Sequence, residues 1–283
     1  MKKRILLPTD FSKNAWNAIL YAAELYKNVK CDFYLLNAFT EKAYDIDGLM
    51  IPKSGDKDYD LAEAYSKKEL VKILKRLELH EVNPSHTYFT LSIFGTPLDV
   101  IKKAIELKDI DLVVIGTKGA TDDANIYYGS NAIDVMEESR NCPVLAVPSG
   151  YSYKEPKEIV FPTSFKTHYK RRELNYLYEI SKLTNAKIRI LHINKEEHLS
   201  TLQNQNKDLL EECLDGVDYS FHWLDNVGVN TGLQNFVQSR DSDMVVFINK
   251  KHSFIKTIFS SPMVNDLGYN SKVPVLVLHD LRN

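Results

Sequence analysis

Short, uninterrupted apolar runs alternate along the chain with longer stretches in which apolar residues return every three or four positions. The runs at residues 5–7, 33–38, 86–94, 112–115 and 144–147 read as strands. After the first, Ser12 stands as a helix N-cap ahead of the series Ala15, Ile19, Ala22, Ala23, Leu25 and Tyr26. A polar loop containing Gly and Pro, around residues 45–57, leads into a long helical pattern carrying Leu61, Ala64, Tyr65, Leu70, Ile73, Leu74 and Leu77. Thr96-Pro97-Leu98-Asp99 opens another helix with a hydroxyl cap, a proline at the first position and a carboxylate at the third. Continuous apolar strands separated by helices predict a mostly parallel sheet covered on both faces.

The pattern then repeats. Ile5-Leu6-Leu7-Pro8-Thr9-Asp10-Phe11 returns as Ile159-Val160-Phe161-Pro162-Thr163-Ser164-Phe165. Asp111-Leu112-Val113-Val114-Ile115 is echoed by Asp243-Met244-Val245-Val246-Phe247, and Cys142-Pro143-Val144-Leu145-Ala146-Val147 by Val273-Pro274-Val275-Leu276-Val277-Leu278. The order matches as well as the words, which marks a duplication. The join falls in the loop-rich stretch 149–156. The expectation is an α/β chain of two tandem, open, mostly parallel five-stranded sheets with helices on both faces. The domains are 1–150 and 156–283.

Composition narrows the function. The 283 residues are 44% hydrophobic and 26% charged, with a formal net charge of -2, so no overall basic field calls for nucleic acid or an anionic membrane. Three distant cysteines, Cys31, Cys142 and Cys213, form no disulfide framework and no zinc spacing, which fits a reducing cytoplasm. His168, His198 and His222 show no metal spacing either, and His192, at a strand end, reads as a satisfied edge histidine. The apolar run after Met1-Lys2-Lys3-Arg4 breaks at Pro8-Thr9-Asp10, too soon for a signal peptide or a membrane span. No G-x-S-x-G elbow, kinase signature or HExxH motif is present, so no catalytic residue is assigned.

The informative chemistry is Gly116-Thr117-Lys118-Gly119, then nine residues, then Gly129-Ser130-Asn131-Ala132, placed after a buried strand and before a helical run through Ile133, Val135 and Met136. Glycines there let main-chain N–H groups approach phosphate oxygens, while the helix start adds free N–H groups and its positive dipole end. Ser130 supplies a hydroxyl and Lys118 a charge. An ordinary strand-to-helix turn is the competing reading, because the spacing is neither that of a Walker loop nor of GxGxxG.

This loop resembles that of the universal stress protein family, in its ATP-binding branch marked by G-x2-G-x9-G-(S/T). Gly116, Gly119, Gly129 and Ser130 match it without a gap. Pro8-Thr9-Asp10-Phe11-Ser12 is similar to the family's first-strand end, where the acidic residue lies against the ribose. Ala38 takes the place of its small apolar adenine contact, and Gly95-Thr96-Pro97 and Asn141-Cys142-Pro143 are further likenesses. The resemblance implies a Rossmann-like fold of the adenine nucleotide alpha hydrolase type. It also implies a cytoplasmic stress-response role and association through the final strands, as an internal pseudo-dimer or a homodimer. The ligand it implies is ATP, ADP or AMP, with or without magnesium. The site it implies comprises Pro8, Thr9, Asp10, Ala38, Ile115, Gly116, Lys118, Gly119, Gly129, Ser130, Asn131 and Ala132. Asp122 and Asp123 depart from the pattern, since carboxylates facing a triphosphate would repel it.

The second half lacks all three loop glycines, carries Asn249-Lys250-Lys251-His252 after its fourth strand, and has Ser164 in the place of Asp10. One nucleotide per chain is therefore expected. Two other functions stay open at this point: a scaffold that binds no nucleotide, and a slow nucleotide hydrolase.

Overall fold

The computed structural model describes residues 2–40, 57–80, 83–117, 129–139, 141–194, 198–249 and 272–279. The first half runs β1 (Lys3–Pro8), α1 (Lys13–Leu25), β2 (Cys31–Phe39), α2 (Lys57–His80), β3 (His86–Phe94), α3 (Pro97–Lys108), β4 (Leu112–Gly116), α4 (Ser130–Glu138) and β5 (Val144–Val147). The second half follows with β6 (Glu158–Pro162), α5 (Arg171–Thr184), β7 (Lys187–Asn194), α6 (Thr201–Cys213), β8 (Tyr219–Asp225), α7 (Val229–Arg240), β9 (Met244–Asn249) and β10 (Val275–His279). Both expected caps form: the Ser12 side chain accepts from Ala15 N, and that of Thr96 from Asp99 N.

The strand order is β3-β2-β1-β4-β5-β10-β9-β6-β7-β8. Each half is a parallel five-stranded unit, and the two units meet at one antiparallel seam, with Val275 opposite Ala146, Leu276 opposite Leu145 and Val277 opposite Val144. The two sheets read from the sequence are thus one ten-stranded sheet. Both seam strands are buried throughout, so each removes the other's open edge from water.

Each face of the sheet carries its own core. Tyr21, Tyr26, Phe33, Phe161 and Leu177 pack with α1, α2, α5 and α6, whereas Leu36, Val113, Val135, Val245 and Val277 pack with α3, α4 and α7. The segment joining the halves is tied down as well. Asn17 Nδ2 donates to Tyr151 O at 2.9 Å, the rings of Tyr21 and Tyr153 meet edge-on at 5.2 Å, and Lys154 pairs with Asp243 at 2.8 Å. Lys3 bridges the halves by pairing with Glu179 while its ammonium lies 4.6 Å from the Tyr176 ring centroid.

One expectation about α2 is corrected. Its buried positions are Ser66, Leu70 and Leu77, while Leu61 and Tyr65 are 68% and 60% exposed. At about 100° per residue, Leu61 and Tyr65 stand about 180° and about 140° around the helix from Leu70, so they face away from the sheet. Tyr59 in the first turn does reach the sheet, packing on Phe39 and Phe94 at 5.5 and 5.3 Å, and Tyr65 meets only Phe11 edge-on at 6.1 Å.

At the opposite end of the second half, Glu158 accepts bonds from Arg189 Nε at 2.8 Å, Arg240 Nε and Nη2 at 2.7 Å each, and Ser242 Oγ at 2.9 Å. Burial alone would raise this carboxyl, but the bonds from Arg240, Arg189 and Ser242 outweigh burial and pull it from 4.5 to about 2. A carboxylate held below its unfolded value stabilises the fold fully above about 4.5, and this contribution is lost as the pH falls toward about 2. Urea denaturation across that window is expected to show a shallower pH slope for Glu158→Gln than for the wild type. Equal slopes would show that the network carries no linkage.

Candidate functional site

β1 lies between β2 and β4, with Ile5 opposite Leu112 and Pro8 opposite Leu36. From β1 the chain goes outward to β2 and β3, then returns to β4 on the other side, so the carboxyl ends of β1 and β4 form the switch-point crevice of an open α/β sheet. Pro8, Thr9 and Asp10 follow β1 into this crevice, Ala38 stands near the end of β2, and Ile115 and Gly116 end β4.

The turn after β1 is held by short local bonds. Phe11 N donates to Thr9 Oγ1 and Ser12 N to Asp10 Oδ1, both at 3.0 Å, with Phe11 in the left-handed region at φ 66°. Asn37 Nδ2 donates to Thr9 O at 2.7 Å, which ties the turn to β2. Asp10 is left exposed at the rim.

At β4, Gly116 has a specific reason to lack a side chain. A Cβ there would lie 2.8 Å from Asn14 Nδ2 and 3.1 Å from the Asn14 backbone carbonyl carbon, so α1 closes on the strand only over glycine. Thr117 N donates to Val147 O at 3.1 Å, and Gly129 N donates to Thr117 O at 2.7 Å, which brings the start of α4 to the end of β4. Gly129 caps α4 at φ -67° and ψ 153° without a side-chain bond. These angles are open to any residue, so at Gly129 the absence of a side chain matters for close approach rather than for the backbone conformation. Ala132 N and Ile133 N both donate to Gly129 O. The N–H groups of Ser130 and Asn131 are left without an acceptor among the described residues, on exposed residues at the positive end of the helix.

Of the twelve site residues read from the sequence, ten gather at this crevice: Pro8, Thr9, Asp10, Ala38, Ile115, Gly116, Gly129, Ser130, Asn131 and Ala132. Lys118 and Gly119 lie outside the described residues, as do Asp122, Asp123, Lys250, Lys251 and His252. Sequence reasoning passed over Asn14 and Asn37. Both are buried polar residues beside the motif, and an asparagine two residues past a helix cap is the available signal for the first.

The second half repeats the frame with different side chains. Phe165 N donates to Thr163 Oγ1 at 3.1 Å with φ 54°, and His192 takes the place of Asn37, its Nδ1 lying 2.7 Å from Thr163 O. A carbonyl only accepts, so Nδ1 carries the proton. Burial lowers the His192 pKa against the pull of that bond, consistent with a satisfied neutral ring. The strand registers put Ile248 in the place of Gly116 and Ile193 in that of Ala38. Ile193 Cδ1 reaches to 3.0 Å from where a Cβ would stand on Gly232 of α7, with Val227 Cγ1 at 2.9 Å. Ile193 thus takes up the space that Gly232 leaves on α7, where the first half has the small Ala38 with Val100 at the matching position of α3.

The model of the universal stress protein family matches residues 1–148. Two universal stress proteins of Methanocaldococcus jannaschii are similar to the chain. One is 30% identical over 158 residues, covering 52% of this chain and 95% of its own, and the other is 28% identical over 156 residues, covering 55% and 84%. The crystal structure of a universal stress protein from Archaeoglobus fulgidus DSM 4304 covers 98% of this chain and 96% of its own, with a TM-score of 0.69 and 16% identity, a likeness of fold. No described helix is long and apolar enough to cross a membrane.

Proposed function

Because the chain belongs to the universal stress protein family, we propose that residues 1–150 form a domain binding one adenine nucleotide as a regulatory ligand, and that residues 156–283 form a second copy whose site is degenerate. The observation that carries this reading is the pair of N–H groups at Ser130 and Asn131 that have no acceptor among the described residues, at a helix start tied by Gly129 N to Thr117 O at the end of β4. Two such donors at a helix start complement a phosphoryl group, and the glycine cap leaves them uncovered. Asp10 stands at the rim for the ribose hydroxyls, and half-buried Ala38 leaves room for a flat base. ATP, ADP and AMP share these requirements. Magnesium, where it is used, would be held chiefly by the phosphates. A cytoplasmic stress-response role belongs to the same proposal.

Mass spectrometry of nucleotide released from freshly purified protein, followed by calorimetric titration, tests it. The expected stoichiometry is one adenine nucleotide per chain, because the second half lacks the three loop glycines and carries Ile248 in the place of Gly116. Two equivalent sites would refute the degeneracy of the second half. Absence of both retained and titratable nucleotide would leave the scaffold reading in its place.

A further inference from the structure

Thr117 is 1% exposed, and its Oγ1 makes no hydrogen bond among the described residues. Its position gives that hydroxyl a context. Along β4, Leu112 and Val114 enter the core beneath α1, whereas Val113 and Ile115 enter the core beneath α3 and α4. With a period of two, Gly116 faces α1, where Asn14 meets it, and Thr117 falls on the α4 side. The Thr117 carbonyl accepts from Gly129 N at 2.7 Å, which sets the residue against the first turn of α4, whose Ser130 and Asn131 N–H groups have no acceptor among the described residues. A hydroxyl can donate as well as accept, and one buried without a partner costs stability that a valine of the same shape would not. Beside a helix start, its natural complement is an anionic oxygen. In the second half the register places Asn249 here, and its Nδ2 donates to Glu137 O of α4 at 3.3 Å, so that copy uses the position to bind its neighbour.

We propose that Thr117 is a phosphate-contacting residue, donating its hydroxyl to an oxygen of the group held at Ser130 and Asn131. The assignment rests on the nucleotide reading above and adds a specificity-determining contact at a position the glycine motif leaves open. Affinities for ATP and adenosine, measured by calorimetry on the full chain, test it. Thr117→Val should weaken ATP about tenfold or more, since hydrogen bonds to charged groups are the stronger ones, and leave adenosine unchanged. The ligand-free variant should melt at a higher temperature than the wild type. Thr117→Ser and Thr117→Ala differ from each other only by the hydroxyl, so they should show the same about tenfold gap for ATP, and this pair carries the test if the valine variant does not fold. Equal ATP affinities within either comparison overturn the assignment. A parallel loss for adenosine also overturns it, by placing the hydroxyl against the nucleoside. Wild-type protein that binds no nucleotide defeats the nucleotide reading and this contact with it, whereas wild-type binding with unaltered variants defeats the contact alone.

Discussion

Leu276→Ala is expected to destabilise the chain by about 3 kcal/mol, within the range for large-to-small changes in a packed core. Leu276 is fully buried and faces Leu145 across the antiparallel seam, so the lost methyls leave a hole where neither half has side chains to spare. Urea unfolding followed by circular dichroism reads the effect. The wild type should unfold in a single transition, because one sheet and two shared cores run through both halves. The Leu145→Ala and Leu276→Ala changes should be non-additive in the double variant, since the residues touch. A change below about 1 kcal/mol, or separate transitions for the two halves, would show that the seam is not a core.

The second large effect is on binding. Gly129→Val should reduce ATP affinity by about 2 kcal/mol, roughly thirtyfold, while the ligand-free protein melts near the wild-type temperature. The fold should tolerate the change because φ -67° and ψ 153° are comfortable for a β-branched residue. The new side chain would stand over the N–H groups of Ser130 and Asn131, which then lose their approach to phosphate. Unchanged ATP affinity in a well-folded variant would remove the loop from the site.

The architecture was largely legible because its signals are local. Pro-Thr-x-Phe recurs as one turn geometry, with threonine accepting from the phenylalanine N–H and the phenylalanine left-handed in both halves. The apolar runs became the strands, and Ser12 and Thr96 became caps, since a cap depends on bonds within three residues. What stayed hidden depends on contacts between distant residues. No spacing announces that Gly116 is small for the sake of Asn14, or that Ile193 reaches across to Gly232. The exposure of Leu61 and Tyr65 was within reach of the sequence, because at about 100° per residue they lie on the side of the helix away from Leu70 and Leu77. Gly129 carries the opposite lesson. The motif marks it, yet its backbone at φ -67° and ψ 153° is one that any residue can adopt, so the angles alone give no reason for glycine there.

The antiparallel seam has a consequence for how the two copies can change. When two identical chains associate about a twofold axis, every substitution is made twice, and a change that helps one partner must be tolerated by the other. Joining the copies through residues 149–156 releases that constraint and also removes the dependence of pairing on protein concentration. Asp10 faces a counterpart Ser164, Asn37 a His192, Ala38 an Ile193, Gly116 an Ile248 and Thr117 an Asn249. Asn249 shows what such freedom permits: a position that in one copy borders the candidate ligand crevice serves in the other as a prop for α4, the helix on which that crevice is built.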